Sequence, residues 1–220
     1  MKLLRSLSLI AVSLIAMAVL PACAGPSTPK AIEQGKDYDL IENAAPWQPL
    51  AGKIEVVEIF GYTCGHCDRF EGSLKPWKAK LPADVRFTAV PAVFGGFWDP
   101  WARAYFAAEQ LNVVKDSHAA VFNAIHRTRD LPAQGVTPAQ LTAFYQRFGA
   151  DPTAYREALG NEHTNKKMEA ARQFSIRSRI TGTPSLVVNG KYLVKGESFE
   201  DMLRITDALI ERERAAARRR

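Results

Sequence analysis

Apolar and polar positions follow two rhythms along this chain. The run Ile54-Glu55-Val56-Val57-Glu58-Ile59-Phe60 is short, apolar and rich in β-branched residues, which predicts a buried strand. Comparable runs predict strands over 38–42 and 85–90, then over 185–188 and 192–195. Asn189-Gly190 joins the last two, and both central positions of a type I′ hairpin turn need positive φ. Between residues 90 and 181 the rhythm lengthens to that of helices. Trp101, Tyr105, Ala108 and Leu111 form one stripe, and Leu141, Phe144, Tyr145 and Phe148 form another. Asp99-Pro100, Thr137-Pro138 and Asp151-Pro152 each offer a cap followed by proline at the first helical position. A last helix is expected over 199–216. Strands, a helical block, a hairpin and a final helix describe an α/β sheet domain interrupted by a helical insertion.

The N-terminus carries a different signal. Lys2 and Arg5 precede an apolar stretch from Leu7 to Leu20, broken by Ser8 and Ser13. That stretch falls short of the roughly 20 apolar residues that span a bilayer, and small residues follow it, so residues 1–22 read as a signal peptide. Export leads to a compartment that permits disulfides. Ala22-Cys23-Ala24 fits ordinary cleavage, whereas Leu20-Pro21-Ala22-Cys23 fits a lipobox with Cys23 as the lipidated residue. Both routes stay open, the lipoprotein being the reading adopted, with residues 23–36 as a flexible tether. Either route removes or modifies Cys23, so the 3 cysteines reduce to one pair.

Composition changes this picture little. The 220-residue chain is 47% hydrophobic, enough for one well-cored domain. Part of the net charge of +6 leaves with the signal, and part sits in Arg218-Arg219-Arg220, a solvated end. No interleaved basic and aromatic stretch points to nucleic acid. His118, His126 and His163 have no partner at metal-ligand spacing and read as satisfied or exposed side chains. Trp98, Trp101, Tyr105, Phe106 and Phe122 read mostly as core of the insertion.

The chemistry is concentrated at Cys64-Gly65-His66-Cys67, directly after the 54–60 strand and at the start of an expected helix. Exchange requires an accessible thiolate and a second thiol that resolves the mixed disulfide. A helix N-terminus favours the first thiolate, which makes Cys64 the expected nucleophile and Cys67 the resolver. His66 between them could stabilise that thiolate as an imidazolium. Glu58, six positions before Cys64, is a carboxylate inside an apolar strand, a costly choice unless it is paired or protonated. It reads as a proton acceptor for Cys67. Thr183-Pro184 precedes the 185–188 strand, and a cis bond there would free backbone groups for an extended substrate. The isomer stays open at this stage.

Taken together, Glu58, Cys64-Gly65-His66-Cys67, the helical block, Gly182-Thr183-Pro184-Ser185 and Val188-Asn189-Gly190-Lys191-Tyr192 resemble the DsbA family of periplasmic thiol–disulfide oxidoreductases. The resemblance covers nearly the whole mature chain. It implies a thioredoxin fold with an inserted all-helical subdomain: residues 37–95 and 180–216 as the thioredoxin-like part, 96–179 as the insertion and 217–220 as a basic tail. It further implies an acidic Cys64, a cis Pro184 at a substrate-binding position with Thr183, and reoxidation by a DsbB-type, quinone-linked inner-membrane partner. The clients would be reduced, unfolded exported proteins. The redox-active disulfide Cys64–Cys67 would serve in place of a cofactor or metal. Gly65 departs from the proline found in many oxidising members, and Gly-His is the pair of disulfide isomerases.

An isomerase or reductase is the rival reading, but the chain leaves no room for an N-terminal dimerisation domain, and a monomeric oxidase is expected. A non-catalytic metal- or peptide-binding module is a further alternative. A single pair of thiols supplies only two of the four ligands that structural zinc usually takes.

Overall fold

The computed structural model describes residues 31–219, which belong to one compact unit. The expected signal peptide, Cys23 and most of the expected tether lie outside the described residues. The elements run β1 (Tyr38–Leu40), β2 (Ile54–Phe60), α1 (Gly65–Lys78), β3 (Val85–Pro91), α2 (Trp98–Gln110), α3 (Val114–His126), α4 (Pro138–Gln146), α5 (Pro152–Gly160), α6 (Glu162–Arg177), β4 (Ser185–Val188), β5 (Tyr192–Val194) and α7 (Phe199–Ala217). The sheet order is β1-β5-β4-β2-β3. Only the β2–β3 pair is parallel, and α1 is its crossover. This is the thioredoxin arrangement, with helices α2 to α6 between β3 and β4.

Every residue of β2 is buried, because helices cover both faces of the strand. Ile54 and Val56 share a core with Phe70 and Leu74 of α1 and with Ile205 and Leu209 of α7. Val57 and Ile59 belong to a second core with Trp101, Tyr105 and Phe106 of α2 and Val121 and Phe122 of α3. Simple alternation would put Phe60 with Ile54 and Val56. It joins the second core instead, ringed by Tyr105, His118 and Phe122. At the end of β2 the helices α2 and α3 reach around the strand and take over that side.

Local signals explain most boundaries. Thr137 closes a capping box with Gln140, and the Asp151 carboxylate accepts from the N–H groups of Thr153 and Ala154, each ahead of a first-turn proline. Asp99 behaves differently. Helix α2 begins at Trp98, two residues before Pro100, and the Asp99 carboxylate accepts from Gly95 N–H at 2.9 Å. The Gly95-Gly96 turn, with φ of 85° and 57°, brings that N–H within reach, so Asp99 secures the turn rather than capping the helix. Asn189 and Gly190 carry the positive φ their hairpin requires, and a Cβ at Gly190 would fall 2.0 Å from the Ala45 carbonyl oxygen.

Candidate active site

The chain leaves β2 through Gly61-Tyr62-Thr63 and enters α1 with Cys64 as its N-cap. Trp98 packs over this turn so closely that a Cβ at Gly61 would lie 2.1 Å from its ring. Cys64 is partly exposed, Cys67 is buried one turn into the helix, and both are free thiols. Cys64 Sγ lies 3.4 Å from the Thr183 carbonyl oxygen, and the Thr183–Pro184 bond is cis. The strand end, the helix start and the loop before β4 therefore converge on one sulfur.

The two thiols have opposite electrostatics. A hydrogen bond with Cys67, a contact with Thr183 and the backbone N–H groups of Cys67 and His66 outweigh burial and bring the Cys64 thiol down to about 5. Burial first, then Cys64 and the Glu58 charge, push the Cys67 thiol far above its ordinary value. The two N–H groups belong to the first turn of α1, as a helix N-terminus supplies. The side chain of His66 is exposed, and the residue's share in holding the thiolate is this main-chain N–H.

Two carboxylates of β2 are buried, and they are treated differently. Glu55 is paired with Arg86 at 2.7 Å and accepts from the N–H groups of Trp47 and Gln48. Glu58 keeps one oxygen, Oε2, buried and without a hydrogen-bond partner. Burial and the neighbouring Glu71 push it up to about 8, with Lys78 opposing and Cys64 adding a smaller push. Glu58 is thus a carboxyl that changes protonation near neutral pH beneath the cysteine pair.

The structure brings Cys64, Gly65, His66, Cys67, Glu58, Thr183 and Pro184 into one region. It adds residues that sequence reasoning passed over. Glu71 and Lys78 lie on α1, where Glu71, one turn past Cys67, had a readable spacing signal. Tyr62 is held from α3 by two of the histidines read as satisfied. His118 Nδ1 is 2.9 Å from the Tyr62 hydroxyl, and His126 Nε2 donates to the Tyr62 carbonyl at 2.7 Å. Phe94 and Phe97 flank Trp98 and are 39% and 41% exposed, an apolar surface next to the turn into Cys64. Among the described residues no group of three or more His, Cys, Asp or Glu could hold a metal ion.

A Cβ at Gly65 would meet only Arg69 Nη1, at an ordinary 3.6 Å. Gly65 is the first residue of α1, where proline is favoured, and its N–H is not among the donors that hold the Cys64 thiolate. Gly65→Pro should therefore fold normally, gain about 0.5–1 kcal/mol in chemical denaturation, and leave Cys64 ionising near the same pH. A rise of the Cys64 midpoint by a full unit would mean that the Gly65 N–H does hold the thiolate.

A thioredoxin sheet with a dithiol at the start of its crossover helix, the carbonyl ahead of a cis proline against the first sulfur and a titrating carboxyl near the second defines a thiol–disulfide oxidoreductase. Residues 71–206 match the DSBA-like thioredoxin domain. The thiol:disulfide interchange protein DsbA of Pseudomonas aeruginosa is 39% identical over 189 residues, which cover 84% of this chain and 87% of that protein. That of Azotobacter vinelandii is 39% identical over 193 residues, covering 86% and 88%. The crystal structure of the oxidoreductase DsbA from Xylella fastidiosa superposes with a TM-score of 0.82 at 50% identity, covering 86% of this chain and all of that one. The chain belongs to the DsbA family of thiol:disulfide oxidoreductases.

Proposed function

We propose that this protein donates its Cys64–Cys67 disulfide to reduced, unfolded proteins exported to the periplasm. A client thiolate attacks Cys64 Sγ, the Cys64–Cys67 bond breaks, and the electron pair leaves on Cys67. Protonated Glu58 gives that sulfur its proton. A second client thiolate then attacks the client sulfur of the mixed disulfide and expels Cys64 as its stabilised thiolate. The client is oxidised by two electrons and the dithiol is left reduced. Reoxidation runs the Cys67 step backwards, with Glu58 accepting the proton while a DsbB-type quinone-linked partner takes the electrons.

The observation that carries this direction is the asymmetry of the pair, an acidic Cys64 at the helix start against a buried Cys67. A stabilised thiolate favours the reduced form and so makes the disulfide a ready donor. His66 would add a positive field when protonated. Thr183 and cis Pro184 would align an extended client beside Cys64, with Phe94, Phe97 and Trp98 offering apolar surface. The redox pair works without a metal or cofactor, and a monomer contains the whole site. In this reading residues 96–179 are an insertion into a thioredoxin-like domain of 37–95 and 180–216, with 23–36 as tether and 217–220 as tail. Membrane attachment through Cys23 adds a diacyl group, which the mass of the mature protein reads directly.

The test is equilibration of the mature protein with glutathione buffers. A pair far more oxidising than glutathione is expected. A potential near that of thioredoxin would reverse the direction and make the protein a reductase despite its unchanged chemistry.

A further inference from the structure

Helix α3 contributes a group that touches neither sulfur. The His118 ring is boxed by Phe60, Tyr62, Tyr105 and Phe122, with centroid distances of 4.9, 5.2, 6.1 and 5.3 Å. Such a box fixes the ring plane, so its two nitrogens point in set directions. Nδ1 meets the Tyr62 hydroxyl at 2.9 Å, and Nε2 faces Glu71 Oε1 at 3.7 Å. With a proton on Nε2 the ring presents that N–H to Glu71, while Nδ1 meets the Tyr62 hydroxyl.

Glu71 links this ring to the redox pair. Burial alone would push its carboxyl up, yet His118, facing it at 3.7 Å, together with Lys78 at 3.8 Å and Lys75, holds it below the usual range. The ionised Glu71 is in turn the strongest charge acting on Glu58, after burial itself. The other groups facing Glu58 are Lys78 and Cys64 of the α1 segment, Cys67, and Tyr105 of α2.

We propose that His118 is a positioning residue for thiol–disulfide exchange: fixed between Tyr62 and Glu71, it keeps Glu71 charged beside Glu58 and so sets the pH at which Glu58 exchanges a proton with Cys67. The inference rests on Glu58 being that proton acceptor. Without His118, burial of Glu71 goes unopposed by its main partner, and the two carboxyls share their proton more evenly. Glu58 then loses its proton at lower pH.

The experiment follows one step. The reduced protein reacts with glutathione disulfide, Cys64 becoming joined to glutathione. Cys67 then attacks Cys64 Sγ, passes its proton to Glu58 and expels the glutathione thiolate. The rate of this second step should rise with pH around a midpoint near 8. In His118→Phe, which refills the aromatic box but removes both polar contacts, the midpoint should fall by about half a unit or more. The same substitution in a Glu71→Gln background should shift nothing further, because the intermediary is gone.

Nitrogen NMR of the unsubstituted protein supplies an independent reading. The His118 ring nitrogens should show an inflection at the Glu58 midpoint, and that inflection should vanish in Glu58→Gln. If Glu58→Gln leaves the pH–rate limb in place, the proton-acceptor reading fails and takes this inference with it. If Glu58→Gln abolishes the limb while His118→Phe leaves it at the same pH, the inference about His118 alone is overturned. If His118→Phe does not fold, an NMR titration without the inflection overturns it equally.

Discussion

Replacing Glu58 by glutamine should slow the proton-coupled Cys67 step roughly a hundredfold while Cys64 keeps its reactivity toward small disulfides. The attack by Cys67 begins from a thiol that burial keeps protonated far above the ordinary range. Glu58 ionises near 8 and is therefore the buried group beneath the pair whose proton affinity suits exchange at neutral pH. Glutamine keeps the shape and removes the acceptor. Turnover unchanged across neutral pH would exclude Glu58 from the mechanism.

The same substitution has a stability signature with a definite sign. The folded Glu58 ionises near 8, against 4.5 for its ordinary value. Between those pH values the folded chain holds a proton that the unfolded chain has released, so stability falls as pH rises. The loss begins near pH 4.5 and is complete above about 8. Glu58→Gln should abolish that slope, gaining on the order of 3 kcal/mol relative to wild type between pH 5 and 8. A glutamine amide left unpaired in the place of Oε2 costs about 1–3 kcal/mol, equally at both pH values. The difference between the two pH values is therefore the diagnostic quantity. Chemical denaturation of the oxidised forms reads it without the Cys64 charge, and parallel slopes for both proteins would show that Glu58 does not titrate in this window.

The parts of this molecule legible in the sequence are those with local causes. Strands Ile54–Phe60 and Ser185–Val188, the Asn189-Gly190 turn and the Thr137 and Asp151 caps each answer to a few adjacent residues. The cysteine pair, Glu58 and the proline before β4 were legible because strand alternation and helix-start geometry bring them together. What escaped has causes far along the chain. Asp99 was diverted by a glycine turn, and Phe60 by helices that wrap the strand end. Tyr62, Glu71 and His118 meet only because α3 packs against α1 and β2, which no local pattern encodes. His118 read as a satisfied or exposed side chain, and its Nδ1 does meet the Tyr62 hydroxyl. The influence of Glu71 on Glu58 is a matter of charge acting through a buried region, invisible until the region is assembled.

The reduced protein should gain stability over the oxidised one as pH rises from 5 to 9, overtaking it between about pH 7 and 8. Folded Cys64 ionises near 5, against 9.0 for its ordinary value. Between these values the unfolded dithiol chain holds a proton that the folded chain has lost, so folding is favoured increasingly with pH; below 5 the contribution is gone. The oxidised protein has no such thiol. It has a crosslink instead, and closing a loop of about four residues stabilises it by about 2 kcal/mol through the unfolded chain. A fully shielded thiolate would offset that by pH 7, at about 1.4 kcal/mol per unit above its midpoint. Partial exposure of Cys64 weakens its interactions and moves the crossing upward, toward pH 8. Above 9 the trend reverses, because the unfolded chain then ionises Cys67 as well, while burial keeps the folded Cys67 protonated. Glu58 affects both redox forms in the same direction and largely cancels from their difference. Matched denaturation of the two forms at pH 5, 7 and 9 should show the oxidised form ahead at the first and the reduced form ahead at the last. An oxidised form that stays ahead by the same margin throughout would mean that the helix start does not hold the Cys64 thiolate, and would remove the driving force for disulfide donation.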